Sequence, residues 1–350
     1  NCIDLNNNLN IASGIDSKTE NFVNDLNSSK IKALLMYNVN PVYDYPDSQK
    51  ILTGLKKTVL TINMAVTLNE TVANAKYECP VPHYLESWDD AEPLPGQLSL
   101  SQPCISPLFN TRSFQDSLLK WSGNSMLYHD YLKANWEKVF FPLSKNSDFT
   151  NFWNQSLGNG VFNYTIEVGS PLKFRGEELS GAMKSVPVAK DNGYEVIISE
   201  SVALGTGMHA NNPWLMELPD PVSRQCWENV AAISPVDAQK LGIETGTMVK
   251  IAEGLILPAF IQPGQAEGTI SAALGYGHTG SGPVCNNIGV NLYPFVKLAD
   301  GNRVYGFATG KLDNTLKYIQ LALTQVHSSM ERRPIVKETG LSEYLINPAS

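Results

Sequence analysis

The residues best suited to chemistry lie in two glycine-rich segments that each carry a histidine. Gly205–Ala210 has the spacing GxGxxA and contains His209, and Gly275–Gly280 has the spacing GxGxxG and contains His278. Both follow predicted strands, as in loops that bind dinucleotides. Such a loop must also open a helix, whose N–H groups hold the pyrophosphate. The residues that follow, "NNPWLMELPDP" and "SGPVCNNIGVN", do not predict a helix start. The pattern therefore leaves only the weaker possibility of backbone anion sites in these loops.

Other chemistry is sparse, and we predict neither a catalytic constellation nor a metal site. His209 and His278 could meet in space, but GxSxG and HExxH are both missing from the sequence. The cysteines are scattered and predict buried free thiols, because zinc and iron–sulfur sites need closely spaced ligands. These cysteines are Cys2, Cys79, Cys104, Cys226 and Cys285.

Composition indicates a globular chain of about two domains. It has 350 residues, 43% apolar and 17% charged, with a net charge of −8 that argues against a nucleic-acid partner. The apolar stretches are too short to cross a bilayer, so no direct membrane insertion is expected. The first ten residues also lack the basic and apolar regions of a signal peptide.

The first half predicts a parallel-sheet α/β domain, residues 1–157. The runs "IKALLMYNV", "TVLTINMAV" and "YECPVP" are strand-like, and "DSQKILTGLKK" and "NETVANAK" are helix-like. Alternation at this spacing is typical of right-handed βαβ units. Asn40, in "NVNPVYDYP", follows the first strand at the edge where ligands bind in such sheets. The loop either contacts a phosphate or nucleotide or is a proline-stiffened turn.

The segment from His83 to Phe109 has four prolines and little periodicity, so we interpret it as a long loop. Such loops are usually functional or interfacial. Trp88 and Leu98 lie in it among acidic residues, which favours a docking surface for a partner. The alternative is that the loop packs on its own α/β domain.

The second half predicts a β-rich domain, residues 191–330, after a linker at 158–190. "YEVIISESVAL", "NVAAISP", "GTMVKIAEG", "LILPAFIQPG" and "GTISAALGYG" are strand-like and suggest a closed barrel. Ser234, Pro235 and Asp237 predict the start of a short helix that ends before Gly242. A final helix is predicted over "TLKYIQLALTQVH", and residues 331–350 form a tail.

Longer phrases resemble known families. "GTGMHANNPWLMELPDPVSRQCWENVAAISPVDAQKLGIETGTMVKI" resembles the C-terminal dinucleotide-binding domain of the molybdopterin oxidoreductases, a double-psi β-barrel. "LLMYNVNPVYDYP" and "TLNETVANAKYECPVP" resemble the end of the preceding α/β domain. "HYLESWDDAEP", "SLSQPCISPLFNTRSFQDSLLKW" and "HSSMERRPIVKETGLSEY" resemble the large iron–sulfur subunit of alternative complex III, a bacterial quinol-oxidising respiratory complex.

This resemblance implies a structural module without its own molybdenum, on the periplasmic side of the inner membrane. Its implied partners are a ferredoxin-like region that would follow Ser350 and carry the iron–sulfur clusters, and haem-bearing and membrane subunits. No cofactor is then expected in this chain. The alternative is the C-terminal part of an active oxidoreductase that binds molybdopterin guanine dinucleotide. For either case the resemblance gives the loops at Asn40 and at Gly207–Asn212, and the second glycine-rich loop adds Gly277 and His278. The candidate cofactor-binding residues, active or vestigial, are therefore Asn40, Gly207, His209, Asn212, Gly277 and His278.

The loop "NPWLMELPDP" leaves two interpretations open. In the resembling domains it lies on the cofactor side of the barrel. Its Trp214, together with Trp227 beyond it, could anchor a partner. The same two tryptophans could instead plug the barrel.

Overall fold

A computed structural model describes residues 9–11, 14–166, 176–184, 193–299, 301–324 and 338–348. The helices are α1 Asp16–Asn27, α2 Pro41–Asp44, α3 Ser48–Lys57, α4 Phe114–Trp121, α5 Tyr128–Asn135, α6 Phe149–Asn159, α7 Leu179–Lys184, α8 Pro213–Met216, α9 Pro235–Leu241 and α10 Leu341–Ile346. None of these described helices is long and apolar enough to span a bilayer.

The strands are β1 Ala33–Tyr37, β2 Leu60–Met64, β3 Tyr77–Glu78, β4 Asp89–Leu94, β5 Gln97–Ser101, β6 Val161–Asn163, β7 Tyr194–Ser199, β8 Ala231–Ile233, β9 Thr247–Ala252, β10 Leu255–Ile261, β11 Thr269–Ala273, β12 Lys297–Ala299, β13 Asn302–Val304, β14 Gly306–Thr309 and β15 Asp313–Tyr318. They form four sheets, of which two build the main parts of the molecule.

The first sheet is parallel, in the order β1-β2-β3, as predicted. Helix α3 connects β1 to β2 and begins where the Asp47 side chain accepts a hydrogen bond from the Lys50 N–H. Ile51 and Leu55 lie on its buried face, against Val23 of α1. The carboxyl ends of β1 and β2 therefore present their loops at one edge.

The prediction of a long loop from His83 to Phe109 is wrong, because β4 and β5 form an antiparallel hairpin that β6 extends. Pro93 and Pro95 made this hairpin hard to predict from the sequence, because prolines are rare inside strands. They are tolerated because β4 is an edge strand and the chain turns at Gly96, where φ is +80°. Leu98 is 4% exposed and packs in an aromatic core with Trp136 and Phe152. This packing corresponds to the alternative in which the segment lies on its own domain.

The second large sheet is mixed and has seven strands, in the order β14-β7-β11-β8-β10-β9-β15. Laid flat, seven strands would span roughly 29 Å at the usual spacing. Residues 310–312 join the two edge strands, and such a link reaches at most about 14 Å. Thr309 Oγ1 also donates to the Ile251 carbonyl of β9, at 2.8 Å. The sheet must therefore curl, while the double-psi connection remains a prediction.

The short helix predicted between two barrel strands is confirmed as α9. The Ser234 hydroxyl accepts from the Asp237 N–H at 3.0 Å, and Gly242 takes the left-handed conformation at the other end. The final helix predicted over "TLKYIQLALTQVH" is wrong for the described part of that segment. Residues Asp313–Tyr318 instead pair with β9, because strand pairing outweighs the local helical periodicity. The end of that segment and the first part of the tail lie outside the described residues.

Candidate functional site

Four of the six candidate residues meet where the parallel-sheet part packs against the curled sheet. Asn40 precedes α2, and α2 places Tyr43 in the core of the curled sheet. The Tyr43 hydroxyl donates to the Tyr276 carbonyl at 2.7 Å, and Asn291 Nδ2 donates to the Tyr43 carbonyl at 3.1 Å. The loop after β1 is thereby fixed to the glycine-rich loop that contains Gly277.

Glu70 is the centre of this junction. Its carboxylate is 8% exposed and accepts from Asn40 Nδ2 at 2.7 Å and from Ser281 Oγ at 2.8 Å. It also accepts from the backbone N–H groups of Thr279 at 2.8 Å and Gly280 at 3.1 Å. We call this set, with His278, the Glu70 cluster. It joins loops that are more than two hundred residues apart in the chain.

Electrostatics in the cluster favour the ionised carboxylate. Burial by itself raises the pKa of Glu70, but hydrogen bonds from His278, Asn40, Thr279 and Ser281 together hold the pKa well below its ordinary value of 4.5. An ionised carboxylate can only accept, so its donors are strongly held. The negative charge therefore stabilises the glycine-rich loop in one conformation.

His278 is held on three sides. Its Nδ1 lies 3.2 Å from Glu70 Oε1, and its ring stacks on Tyr43 with centroids 3.7 Å apart. Because the carboxylate can only accept, the Nδ1 atom must carry a proton. The Nε2 atom is buried and has no hydrogen-bond partner among the described residues. It faces Gly207, where a Cβ atom would lie 2.8 Å from it. A carboxylate and an imidazole are thus paired as in acid–base sites, but they point into packed protein.

Gly207 and Gly277 take conformations that other residues rarely adopt. Their φ angles are +103° and +73°, and a Cβ atom on Gly277 would collide with the backbone of Val290 and Asn291. These glycines allow close approach of backbone segments. In this structure the approaching segments belong to the protein itself.

His209 and Asn212 lie apart from the cluster, on the surface. The Asn212 side chain accepts from the Trp214 N–H at 3.0 Å and begins the one-turn helix α8. No hydrogen bond or ring contact joins His209 to His278 in the described part of the chain, so the two histidines do not form a pair.

Trp214 in the loop "NPWLMELPDP" and Trp227 beyond it pack differently. Trp214 is 82% exposed, so it does not plug the barrel. Trp227 packs with Met216 and Tyr276 in a small apolar cluster at the base of the loop. Of the two tryptophans, Trp214 is therefore the one exposed enough to contact a partner.

Sequence reasoning missed Glu70, Tyr43 and Ser281. Glu70 lies in Asn69-Glu-Thr, a sequon by pattern, and the Asn69 side chain is occupied with the N–H groups of Thr71 and Val72. An acidic residue just beyond a buried parallel strand was the available signal for Glu70.

The observed arrangement does not fit a pterin dinucleotide. Both ends of the Asn40 amide are used internally, on Glu70 and on Thr71. Gly207 is covered by His278 and Tyr43. The described residues also contain no group of three or more histidines, cysteines or acids that could hold a metal. The described cysteines are free thiols, and Cys226 and Cys285 are buried as predicted. The prediction of burial is wrong for Cys104, which is exposed, and for Cys79, which is half-buried. Cys2 lies outside the described residues.

Comparisons with known proteins agree with this architecture. No family model matches the sequence. The chain is 26% identical over 262 residues to the menaquinone reductase molybdopterin-binding-like subunit of Nitratidesulfovibrio vulgaris, covering 71% of this chain and 36% of that protein. Acetylene hydratase from Pelobacter acetylenicus has a similar structure, with a TM-score of 0.50 and 16% identity, over 83% of this chain and 46% of that one.

The chain has a molybdopterin-oxidoreductase-like fold. It spans about a third of the length of the curated relative. The likeness to acetylene hydratase supports the fold alone.

Proposed function

We propose that this chain is a structural module of an electron-transfer subunit in a quinone-linked respiratory complex, without its own molybdenum. The main support is the Glu70 cluster. In related folds these loops hold pterin dinucleotides. Here the polar groups of the same loops are hydrogen-bonded to Glu70 and to one another. A cluster whose donors are already paired gains little from a ligand.

Two observations support a link to quinones. The relative from Nitratidesulfovibrio vulgaris is named a menaquinone reductase subunit. The long sequence phrases resemble alternative complex III, which oxidises quinol. Electron exchange with a membrane quinone is common to both. We propose that the complex to which this chain belongs also exchanges electrons with a membrane quinone. A position on the periplasmic side, a ferredoxin-like region, and haem-bearing and membrane subunits as partners belong to the same proposal.

Metal and pterin analysis of the complete protein from its native host tests the absence of molybdenum. We expect molybdenum and pterin well below one per chain. A stoichiometric amount of either would overturn the proposal. A matched molybdenum enzyme, purified in parallel, controls for loss of cofactor during preparation.

One observation favours the alternative, a cofactor-binding part of an active molybdopterin guanine dinucleotide oxidoreductase. His278 Nε2 is buried and has no hydrogen-bond partner within the described ranges, and such an atom gains from a polar ligand group. A ligand would have to displace Tyr43 or shift the Gly207 turn to reach it. Binding of the free dinucleotide that abolishes the stacking of Tyr43 on His278 would support this alternative.

A further inference from the structure

A cavity of about 670 Å³ lies away from the Glu70 cluster, between the 82–88 segment and helices α4 and α5. Its volume is within the usual range of ligand sites. Its wall includes Glu86, Trp88, Arg112, Lys120 and Tyr128. The proposed function uses none of these residues.

Glu86 is the unusual member of this wall. It ends the helical turn Tyr84–Glu86 and is only 9% exposed. Within the described ranges, no hydrogen bond or ion pair reaches its side chain. Among the described residues, neither carboxylate oxygen of Glu86 is both fully buried and without a hydrogen-bond partner, so these oxygens open onto the cavity that Glu86 lines. A carboxylate that faces a cavity without a donor from the described fold is available to a ligand.

The rest of the wall is firmly built. Cys104 and Ile105 donate their N–H groups to the Leu85 carbonyl, at 2.8 Å and 3.1 Å, and so hold the turn that carries Glu86. Across the cavity, Asp116 accepts from the Tyr128 N–H at 2.7 Å and fixes the start of α5 to α4. Asp116 also accepts from Ser113 Oγ at 2.6 Å, so both of its carboxylate oxygens already have donors. Glu86 is the carboxylate of the wall whose oxygens have no donor among the described residues.

The environment favours a cation. Burial raises the pKa of Tyr128, and the negative charges of Asp90, Asp89 and Asp116 raise it further. Trp88 presents an aromatic ring, which attracts ammonium and guanidinium groups. Arg112 and Lys120 are exposed on the rim, where water screens them.

We propose that this cavity binds an alkyl-guanidinium or alkyl-ammonium group, with Glu86 as its carboxylate partner and Trp88 as its aromatic wall. The inference goes beyond the proposed function and does not depend on it. The cation could belong to a basic side chain of a polypeptide or to a free small amine. Exposed Leu108, Phe109 and Leu127 are apolar surface that a peptide would cover and a free amine would not.

Titration of the purified chain with two probes separates these sources. One probe is agmatine, and the other is the peptide acetyl-Leu-Arg-Leu-amide. A third compound, acetyl-Leu-citrulline-Leu-amide, has the same shape without the charge. Nuclear magnetic resonance of the tryptophan indole N–H groups, with Trp88 assigned by its Trp88→Phe variant, reports binding and its place.

We expect at least one charged probe to bind and to shift the Trp88 signal. The citrulline peptide should bind about tenfold more weakly than the arginine peptide, because it loses a charged hydrogen bond. If the arginine peptide binds about tenfold tighter than agmatine, the source is a polypeptide. Equal affinities indicate a free amine.

The variant Glu86→Gln should lose the preference for charge, whereas Glu78→Gln, on an exposed strand, should keep it. The thermal midpoint of Glu86→Gln should not fall, since the substitution removes a charge that has no partner within the described fold. Failure of both charged probes to bind would overturn the proposal. Equal binding of the arginine and citrulline peptides to the unaltered chain would also overturn it, and that comparison needs no variant to fold.

Discussion

Glu70 and Glu86 are almost equally buried, with 8% and 9% of their surfaces exposed, yet their surroundings differ completely. Glu70 accepts from two side chains and two backbone N–H groups and lies beside His278 Nδ1. Glu86 receives no donor from the described part of the chain and lines a cavity. The extent of burial by itself therefore does not indicate whether a carboxylate has a structural or a ligand-binding role. The number of donors that the fold supplies separates a structural charge from one that is available to a ligand.

The largest expected effect comes from neutralising the paired carboxylate. Glu70→Gln removes the charge and one acceptor, and it leaves buried donors of Asn40, Thr279 or Ser281 unpaired. We expect the free energy of unfolding to fall by about 3–5 kcal/mol. Urea denaturation measures this change. A loss of less than about 1 kcal/mol would mean that the cluster does not hold the two parts together.

The next effect tests the close packing beside His278. Gly207→Ala places a methyl group 2.8 Å from His278 Nε2, at a φ of +103°. We expect a loss of about 2–3 kcal/mol. Gly205→Ala is the matched control, because its φ is +56° and no atom lies within 4 Å of the added carbon. That control should lose only about 1 kcal/mol. Equal losses for the two variants would contradict the packing described for Gly207.

The pH dependence of stability tests the charge of Glu70 directly. Its folded-state pKa is below the ordinary value of 4.5, so its contribution to stability is present above that value. The contribution is lost as the pH falls from the ordinary value toward the folded-state pKa. We expect the unaltered chain to lose stability in acid more steeply than Glu70→Gln, in urea denaturation at a series of pH values. Parallel curves for the two proteins would show that Glu70 does not titrate differently on folding.

The smallest expected effect is at the unpaired carboxylate. Glu86→Gln should change the free energy of unfolding by no more than about 0.5 kcal/mol, or should raise it. The exposed Glu78→Gln variant is the control for a generic loss of charge. A clear destabilisation by Glu86→Gln alone, measured in the same urea series, would show that Glu86 has a structural partner. The contrast with Glu70 would then disappear.

The amino-acid sequence by itself determined the local elements. Short apolar or β-branched runs located β1 and β2, because a buried strand is apolar on both faces. Alternation located β7, and Gly and Pro turns marked the ends of β9, β10 and β11. Cap chemistry located α9, since Ser234 and Gly242 serve functions that depend only on neighbouring residues. The resemblance of long phrases supplied Asn40 and Gly207 as candidates, the second glycine-rich pattern supplied Gly277 and His278, and the fold brings these four together.

Only the tertiary structure decided the rest. Whether "TLKYIQLALTQVH" is helix or strand depended on the free edge of β9, which no local pattern contains. Likewise, the hairpin β4–β5 is stabilised by its packing on Trp136 and Phe152, distant in the chain. Glu70 and Glu86 differ because the fold brings residues 278–281 to Glu70, whereas no donor among the described residues reaches the side chain of Glu86. Contacts across such separations depend on the closing of the whole chain, so a local pattern cannot encode them.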